Sequence, residues 1–308
     1  METALIGVDW GTSRLRGLRI DPKGELLECR DSTQGVGRVQ DHAFAAALHE
    51  LIEGWQMREG RTPILMCGMI GSRQGWHEVP YVACPAALAD FLPHLQRVET
   101  EGGPAHIVAG VSTRDACGIH DVMRGEEVQI LGIATSSGRQ LAIAPGTHSK
   151  WVTVENGRIL DFQTYMTGEL YSLLRERSTL AWVMSSSAET SPADDAFLLG
   201  VRRARADPGL LRLLFSVRTC GLFDDLPSAG LASYLSGLLI GSEIAAGLQR
   251  HEGGQITLIA SAALAHLYRL ALSDAGYTDV ACIDGSAAAA RGLWRLWELR
   301  RGHEGQQA

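Results

Sequence analysis

Two segments of the chain share one design: "LIGVDWGTSRLRGLRI" at residues 5–20 and "LAIAPGTHSKWVTVENGRIL" at residues 141–160. In each, an apolar run of strand character meets a Gly-Thr turn and returns at once as a second strand. Backbone N–H groups and short hydroxyls then gather at one turn between two buried strands, which suits the oxygens of a phosphate. Glycine lets an anion approach the backbone closely. One such hairpin has an ordinary structural reading. Two of them, each opening a half of the chain and with an acid, Asp9, only at the first, constrain the fold to a duplicated architecture.

A length of 308 residues agrees with this, since one core serves roughly 150 residues and two domains are expected. No apolar run reaches the ~20 residues that span a bilayer, and the N-terminus lacks a signal peptide's basic flank and apolar core. A cytoplasmic protein without a membrane partner is expected. The six cysteines stand singly, without a CxxC pair, and read as reduced, mostly buried thiols. Lys and Arg number 28 against 35 Asp and Glu, so the net charge of −7 argues against a nucleic-acid surface. It leaves room for small anions held by local cations and a metal.

Three strands open the chain (4–10, 14–21 and "LLECR"), then a helix with Phe44, Leu48, Leu51, Ile52 and Trp55 on one side, then the strand "TPILMCG". "AALADFLPHLQ" has helical spacing, 105–110 reads as a strand, and 121–134 as a helix. Strands resume over 139–166, with a hairpin signal at Asn156-Gly157. The remainder reads as helices, "LASYLSGLLIGSEIAAGLQ" the longest, around the strands "QITLIAS" and "VACID", with a frayed tail from Gly302. The small residues of "IDGSAAAARGLW" read as close packing.

Asp9-Trp10-Gly11-Thr12 resembles the first phosphate loop of the actin, heat-shock chaperone and sugar kinase superfamily. The resemblance implies an α/β fold of two ribonuclease-H-like (actin-like ATPase) domains, duplicated βββαβα cores around a central ATP cleft. Residues 1–134 would form the first domain and 135–308 the second. It further implies that Asp9 holds Mg²⁺ through water and that the two loops grip the phosphates of ATP. The second loop, "PGTHSK", lacks a leading acid, which leaves Asp9 as the main protein carboxylate for the metal. Across nearly the whole chain, "DWGTSRLR", "CGMIGSRQGW", "DVMRGEEVQILG", "PGTHSKW", "MTGELY" and "SYLSGLLIGSE" together resemble the 2-dehydro-3-deoxygalactonokinase family. The implied activity is ATP-dependent phosphorylation of 2-dehydro-3-deoxy-D-galactonate at its 6-hydroxyl. A kinase for another sugar acid, such as 2-dehydro-3-deoxygluconate, is the nearest alternative. An actin-like ATPase or regulator that binds partners is the more distant one.

Phosphoryl transfer to an alcohol calls for charge neutralisation and a carboxylate that accepts the hydroxyl proton. Asp121, before the expected helix, is the candidate base, with a helix N-cap as its compatible structural role and Asp115 as its rival. The acceptor's carboxylate favours a bidentate arginine, for which Arg73 is the candidate, flanked by Ser72 and Gln74 for the hydroxyls. A plain surface arginine is the other role for Arg73. Gly11, Thr12, Ser13, Arg14, Gly146, Thr147, His148 and Lys150 are the phosphate-loop candidates, with Arg14 ahead of Arg16. Glu126 and Glu127 read as helix-surface charges, with the ordering of Mg²⁺ waters as the alternative role for one of them. The superfamily places adenine at a Gly-rich strand-to-helix turn; "LIASAALAHLY" lies in the right place, with Ser261 and Ala262 as the candidates, although Ala260, Ser261 and Ala262 stand where a glycine is common. The partners expected are ATP, a keto-deoxy sugar acid and, as a homodimer, a second copy of the chain.

Overall fold

The computed structural model describes residues 3–55, 62–134, 138–184, 194–251 and 254–307. Strands β1 (Leu5–Trp10) and β2 (Leu15–Ile20) form the first hairpin, registered from Leu5 opposite Ile20 to Trp10 opposite Leu15. Leu5, Ile6, Val8 and Trp10 are fully buried, which marks β1 as an interior strand. β3 (Leu26–Ser32) pairs antiparallel with β2, while β4 (Ile64–Gly68) lies parallel to β1 on its other side. β8 (Gly103–Ile107), parallel to β4, and the edge strand β7 (Gln96–Thr100) complete a six-stranded sheet of order β3-β2-β1-β4-β8-β7. A small sheet orders β10 (His120–Met123), β9 (Val111–Arg114) and β5 (Val82–Ala83).

The second six-stranded sheet contains β6 (Ala86–Ala87), β11 (Arg139–Ala144), β12 (Ser149–Glu155), β13 (Arg158–Tyr165), β14 (Gln255–Ile259) and β15 (Val280–Ile283). Its order is β15-β14-β11-β12-β13-β6. The pattern of the first sheet thus recurs: a meander of three strands, then two later strands beyond the first. This is the expected α/β fold of two ribonuclease-H-like domains. At the β12–β13 turn Asn156 and Gly157 both have positive φ, 50° and 75°, as a tight hairpin turn demands.

Two compact units emerge from the packing. The first comprises Met1–Ala142, Val152–Phe162 and Ile283–Ala308, and the second Ile143–Trp151 and Gln163–Cys282. In the first unit α1 (Phe44–Ile52), α2 (Glu126–Ile133) and the terminal α8 (Gly285–Gln307) cover the sheet. α2 and α8 touch through glycines, because a Cβ on Gly292 would collide with the carbonyl of Val128. The second unit holds α3 (Thr167–Arg177), α4 (Asp194–Ala206), α5 (Leu210–Leu222), α6 (Ser228–Leu248) and α7 (Ala262–Asp274). α6 is the one described helix long and apolar enough to cross a membrane, and 61% of its apolar window is buried within the molecule.

Several sequence expectations are corrected. The helix foreseen over 121–134 is instead strand β10 followed, after Gly125 at φ 115°, by the shorter α2. "AALADFLPHLQ" yields a 3-10 helix, Leu88–His94, since Pro93 cannot donate in an α-helical turn. Trp55 lies beyond the end of α1, yet is buried by donating to Glu28 and stacking under Arg30. Only Cys67 and Cys220 are buried, whereas Cys29, Cys117 and Cys282 are exposed. The tail expected to fray from Gly302 continues α8 to Gln307.

Candidate active site

In the first unit, the Gly11 N–H closes the β1–β2 turn onto the Arg14 carbonyl at 2.8 Å. A second glycine-rich segment braces this turn: Val36 N–H donates to the Gly11 carbonyl and Gly37 N–H to that of Thr12. Trp10 secures the same segment by donating from Nε1 to the Gln34 carbonyl at 2.9 Å. Thr12, Ser13 and Arg14 are exposed at the tip. A loop whose shape is held from behind presents its donors to a ligand without prior rearrangement.

Asp9 sits at the end of β1 with 17% of its side chain exposed. Burial pushes its pKa up, Arg16 pulls it down, Asp31 pushes it up again, and a hydrogen bond from Gln129 lowers it. Arg16 lies directly across the hairpin from Asp9, its Nη1 3.8 Å from Oδ2, while its Nε donates to Asp31 at 3.2 Å. Arg16 is therefore the arginine on the acid, because opposed residues of a hairpin share a face. Beside Asp9 the backbone leaves room: a Cβ on Gly125 would come within 3.7 Å of Oδ1 and 3.3 Å of the Gly68 Cα. Among the described residues no group of three or more His, Cys, Asp or Glu forms a metal cage. One part-exposed carboxylate beside a backbone kept free of side chains fits an ion such as Mg²⁺, which keeps waters and substrate phosphates as most of its ligands.

The other candidates of the first unit lie on separate elements. Asp121 lies on β10 opposite Thr113, with Oδ1 accepting the Val122 N–H at 2.7 Å. It caps no helix, since Gly125 is the N-cap residue of α2. Asp9 and Asp121 stand on different sheets. Ser72 is buried and donates to the Met69 carbonyl at 2.7 Å. Arg73 and Gln74 are exposed, and Arg73 pairs with Glu78 at 2.9 Å. Glu127, foreseen as a surface charge, is completely buried.

In the second unit, Pro145, Gly146, Thr147 and His148 link β11 to β12, and the first turn of α3 holds them. Glu169 N–H donates to the Thr147 carbonyl at 2.9 Å, and its carboxylate meets His148 Nε2 at 2.5 Å. Gly168 lies so close that a Cβ there would overlap the Gly146 carbonyl. Lys150 is buried on β12, with Nζ donating to Thr164 at 2.7 Å. Glu243, 3% exposed on α6, accepts from Ser149, Trp151, Thr167 and Tyr268. Burial pushes its pKa up and these four donors pull it back.

A cavity of about 210 Å³ opens between this loop and the helices, lined by Gly146, Gly168, Tyr171, Ser236, Leu264 and Tyr268 among others. Ser261 and Ala262 are exposed at the start of α7, and the following turns of that helix supply Leu264 and Tyr268 to the cavity. Sequence reasoning passed over Thr167, Gly168 and Glu243. Their signal was present in "MTGELY" and "SYLSGLLIGSE", two blocks of the resemblance for which no chemistry had been assigned.

The family model described as 2-keto-3-deoxy-galactonokinase matches residues 9–296. The 2-dehydro-3-deoxygalactonokinase of Escherichia coli (strain K12) is 36% identical over 297 residues, covering 95% of this chain and 97% of that protein. A solved structure from Sinorhizobium meliloti, provisionally assigned to the same kinase, matches with TM-score 0.86 at 35% identity, covering 95% of this chain and 97% of that one. The activator of 2-hydroxyisocaproyl-CoA dehydratase from Clostridium difficile, at 11% identity and TM-score 0.51, shares the fold alone and covers 98% and 97% of the two chains. On the match to nearly its whole length, the chain belongs to the 2-keto-3-deoxy-galactonokinase family.

Proposed function

We propose that this protein is a cytoplasmic kinase that transfers the γ-phosphoryl group of ATP to the 6-hydroxyl of 2-dehydro-3-deoxy-D-galactonate in galactonate catabolism. The family match over residues 9–296 carries this reading, and the two Gly-Thr hairpins support it. Residues 1–134 serve as the half with the first phosphate loop and substrate loop, and 135–308 as the half with the second loop and adenosine site.

Gly11, Thr12, Ser13 and Arg14 in the first loop, and Gly146, Thr147 and His148 in the second, offer short neutral or cationic donors to the phosphates. Asp9 would hold Mg²⁺, which when bound supplies charge neutralisation on the phosphate oxygens. Arg16 adds a fixed positive charge beside that acid. Asp121 accepts the proton of the attacking hydroxyl, with its Oδ1 oriented by the Val122 N–H. Arg73, with Ser72 and Gln74, takes the acceptor's carboxylate and hydroxyls; its exposure and its exchangeable partner Glu78 suit a residue that binds by swapping one carboxylate for another. The adenosine moiety occupies the cavity of the second unit, with Ser261 and Ala262 at the head of the helix that lines it. A second copy of the chain is the protein partner, through Leu211, Phe215 and Leu222, which are exposed on α5.

ADP release measured across keto-deoxy sugar acids and neutral sugars tests the reading. A marked preference for 2-dehydro-3-deoxy-D-galactonate is expected. ATP turnover indifferent to every acceptor would sink the kinase assignment, and preference for another acceptor would sink its specificity.

A further inference from the structure

Three sequence blocks far apart in the chain, "PGTHSKW", "MTGELY" and "SYLSGLLIGSE", meet at one buried carboxylate. Glu243 Oε1 accepts from Ser149 Oγ and Trp151 Nε1, each at 2.7 Å. Its Oε2 accepts from Thr167 Oγ1 and from Tyr268 OH, the latter at 2.7 Å. Both oxygens are thus doubly occupied, and Trp151 Nε1, which can only donate, fixes Oε1 as an acceptor. We propose that Glu243 is the positioning residue of the nucleotide half: it locks the second phosphate loop, the first turn of α3 and one wall of the cavity into the single arrangement that ATP requires.

Each donor touches a different part of that arrangement. Ser149 directly follows the loop residue His148, and Trp151 packs its ring against Gly247 one turn further along α6. Thr167 begins α3, immediately before the Gly168 that lies against the Gly146 backbone. Tyr268 and Thr167 both line the cavity. A carboxylate at the centre therefore couples loop, helix and cavity wall, which an apolar side chain of equal size would leave to slide independently. Packing alone gives no reason for a charge here, because burying a carboxylate is costly and a well-packed apolar replacement is often neutral or stabilising. The inference rests on the proposed assignment of this loop and cavity to ATP.

The test is Glu243→Gln, which keeps the size and removes two acceptor sites. Trp151 Nε1 can only donate, whereas the hydroxyls of Thr167 and Tyr268 can also accept, so the new amide nitrogen settles on their side. Steady-state kinetics should show KM for ATP raised about tenfold or more, with KM for the sugar acid and kcat within about threefold of wild type. Ser149→Ala, which removes one donor, should raise KM for ATP about threefold. The double variant should fall well short of the product of the two effects, because both act on one network. An unchanged KM for ATP in Glu243→Gln, or a uniform loss in kcat and both KM values, overturns the proposal. If Glu243→Gln does not fold, Ser149→Ala decides alone, and an unchanged KM for ATP in it overturns the proposal. Failure of the underlying assignment is separate: wild-type protein would then show no ATP turnover dependent on any acceptor.

Discussion

Glu127 yields a prediction with a sign and a size. It lies in the first turn of α2 with no exposed surface, its Oε2 accepting the Gly125 N–H at 2.6 Å. Its Oε1 is buried without a hydrogen-bond partner. Burial, reinforced by the neighbouring Glu126, raises its pKa from 4.5 to about 8. The folded protein then holds a proton at neutral pH that the unfolded chain releases, so this residue's stability contribution falls as pH rises from about 4.5 to about 8. Linkage puts the loss at about 3–4 kcal/mol between pH 5 and pH 8. Glu127→Gln keeps an oxygen for the Gly125 N–H and cannot ionise. Urea unfolding of both proteins at several pH values over that interval should show the wild type losing about 3–4 kcal/mol more than the variant. Parallel pH profiles would refute the claim that the fold holds Glu127 neutral.

Two further outcomes are expected. Asp121→Asn should lower turnover by ~10² or more while ATP affinity stays within about threefold, by steady-state kinetics and nucleotide titration; near wild-type turnover would reject Asp121 and move attention to Asp115. On α5, Leu211, Phe215 and Leu222 share one face and are 89%, 59% and 59% exposed, beside Trp182 and Phe223, each 76% exposed. These side chains offer on the order of 700 Å², near the roughly 800 Å² per partner of a stable interface. Antiparallel self-pairing sets Leu211 against Leu222 and Phe215 against Arg218. Light scattering should find a dimer that Leu211→Asp with Phe215→Asp converts to monomer, and a wild-type monomer at tens of micromolar would exclude this interface.

Local chemistry made much of this protein legible. The apolar runs, the Gly-Thr turns and the Asn156-Gly157 hairpin depend on neighbours in sequence, and each formed where the residues required it. Register extends this legibility, since a tight turn after Trp10 is enough to oppose Asp9 and Arg16. The limits appear where local cues compete. Asp121 before a Gly-Glu-Glu run looked like a helix start, but Gly125 in a left-handed conformation delayed the helix and left Asp121 on a strand. Lys150, Glu127 and Glu243 show the deeper limit. A charged residue reads as solvated until something covers it, and the covering elements come from distant sequence: α8 closes over α2, and α6 carries Glu243 to Ser149, 94 positions away. The sequence by itself determined the two Gly-Thr hairpins and the buried strands around them, because those are set by residues within a few positions of one another, and its blocks together carried the family. Only the tertiary structure decided which acids lose water and what they hold, because desolvation and hydrogen-bond partners belong to the assembled packing.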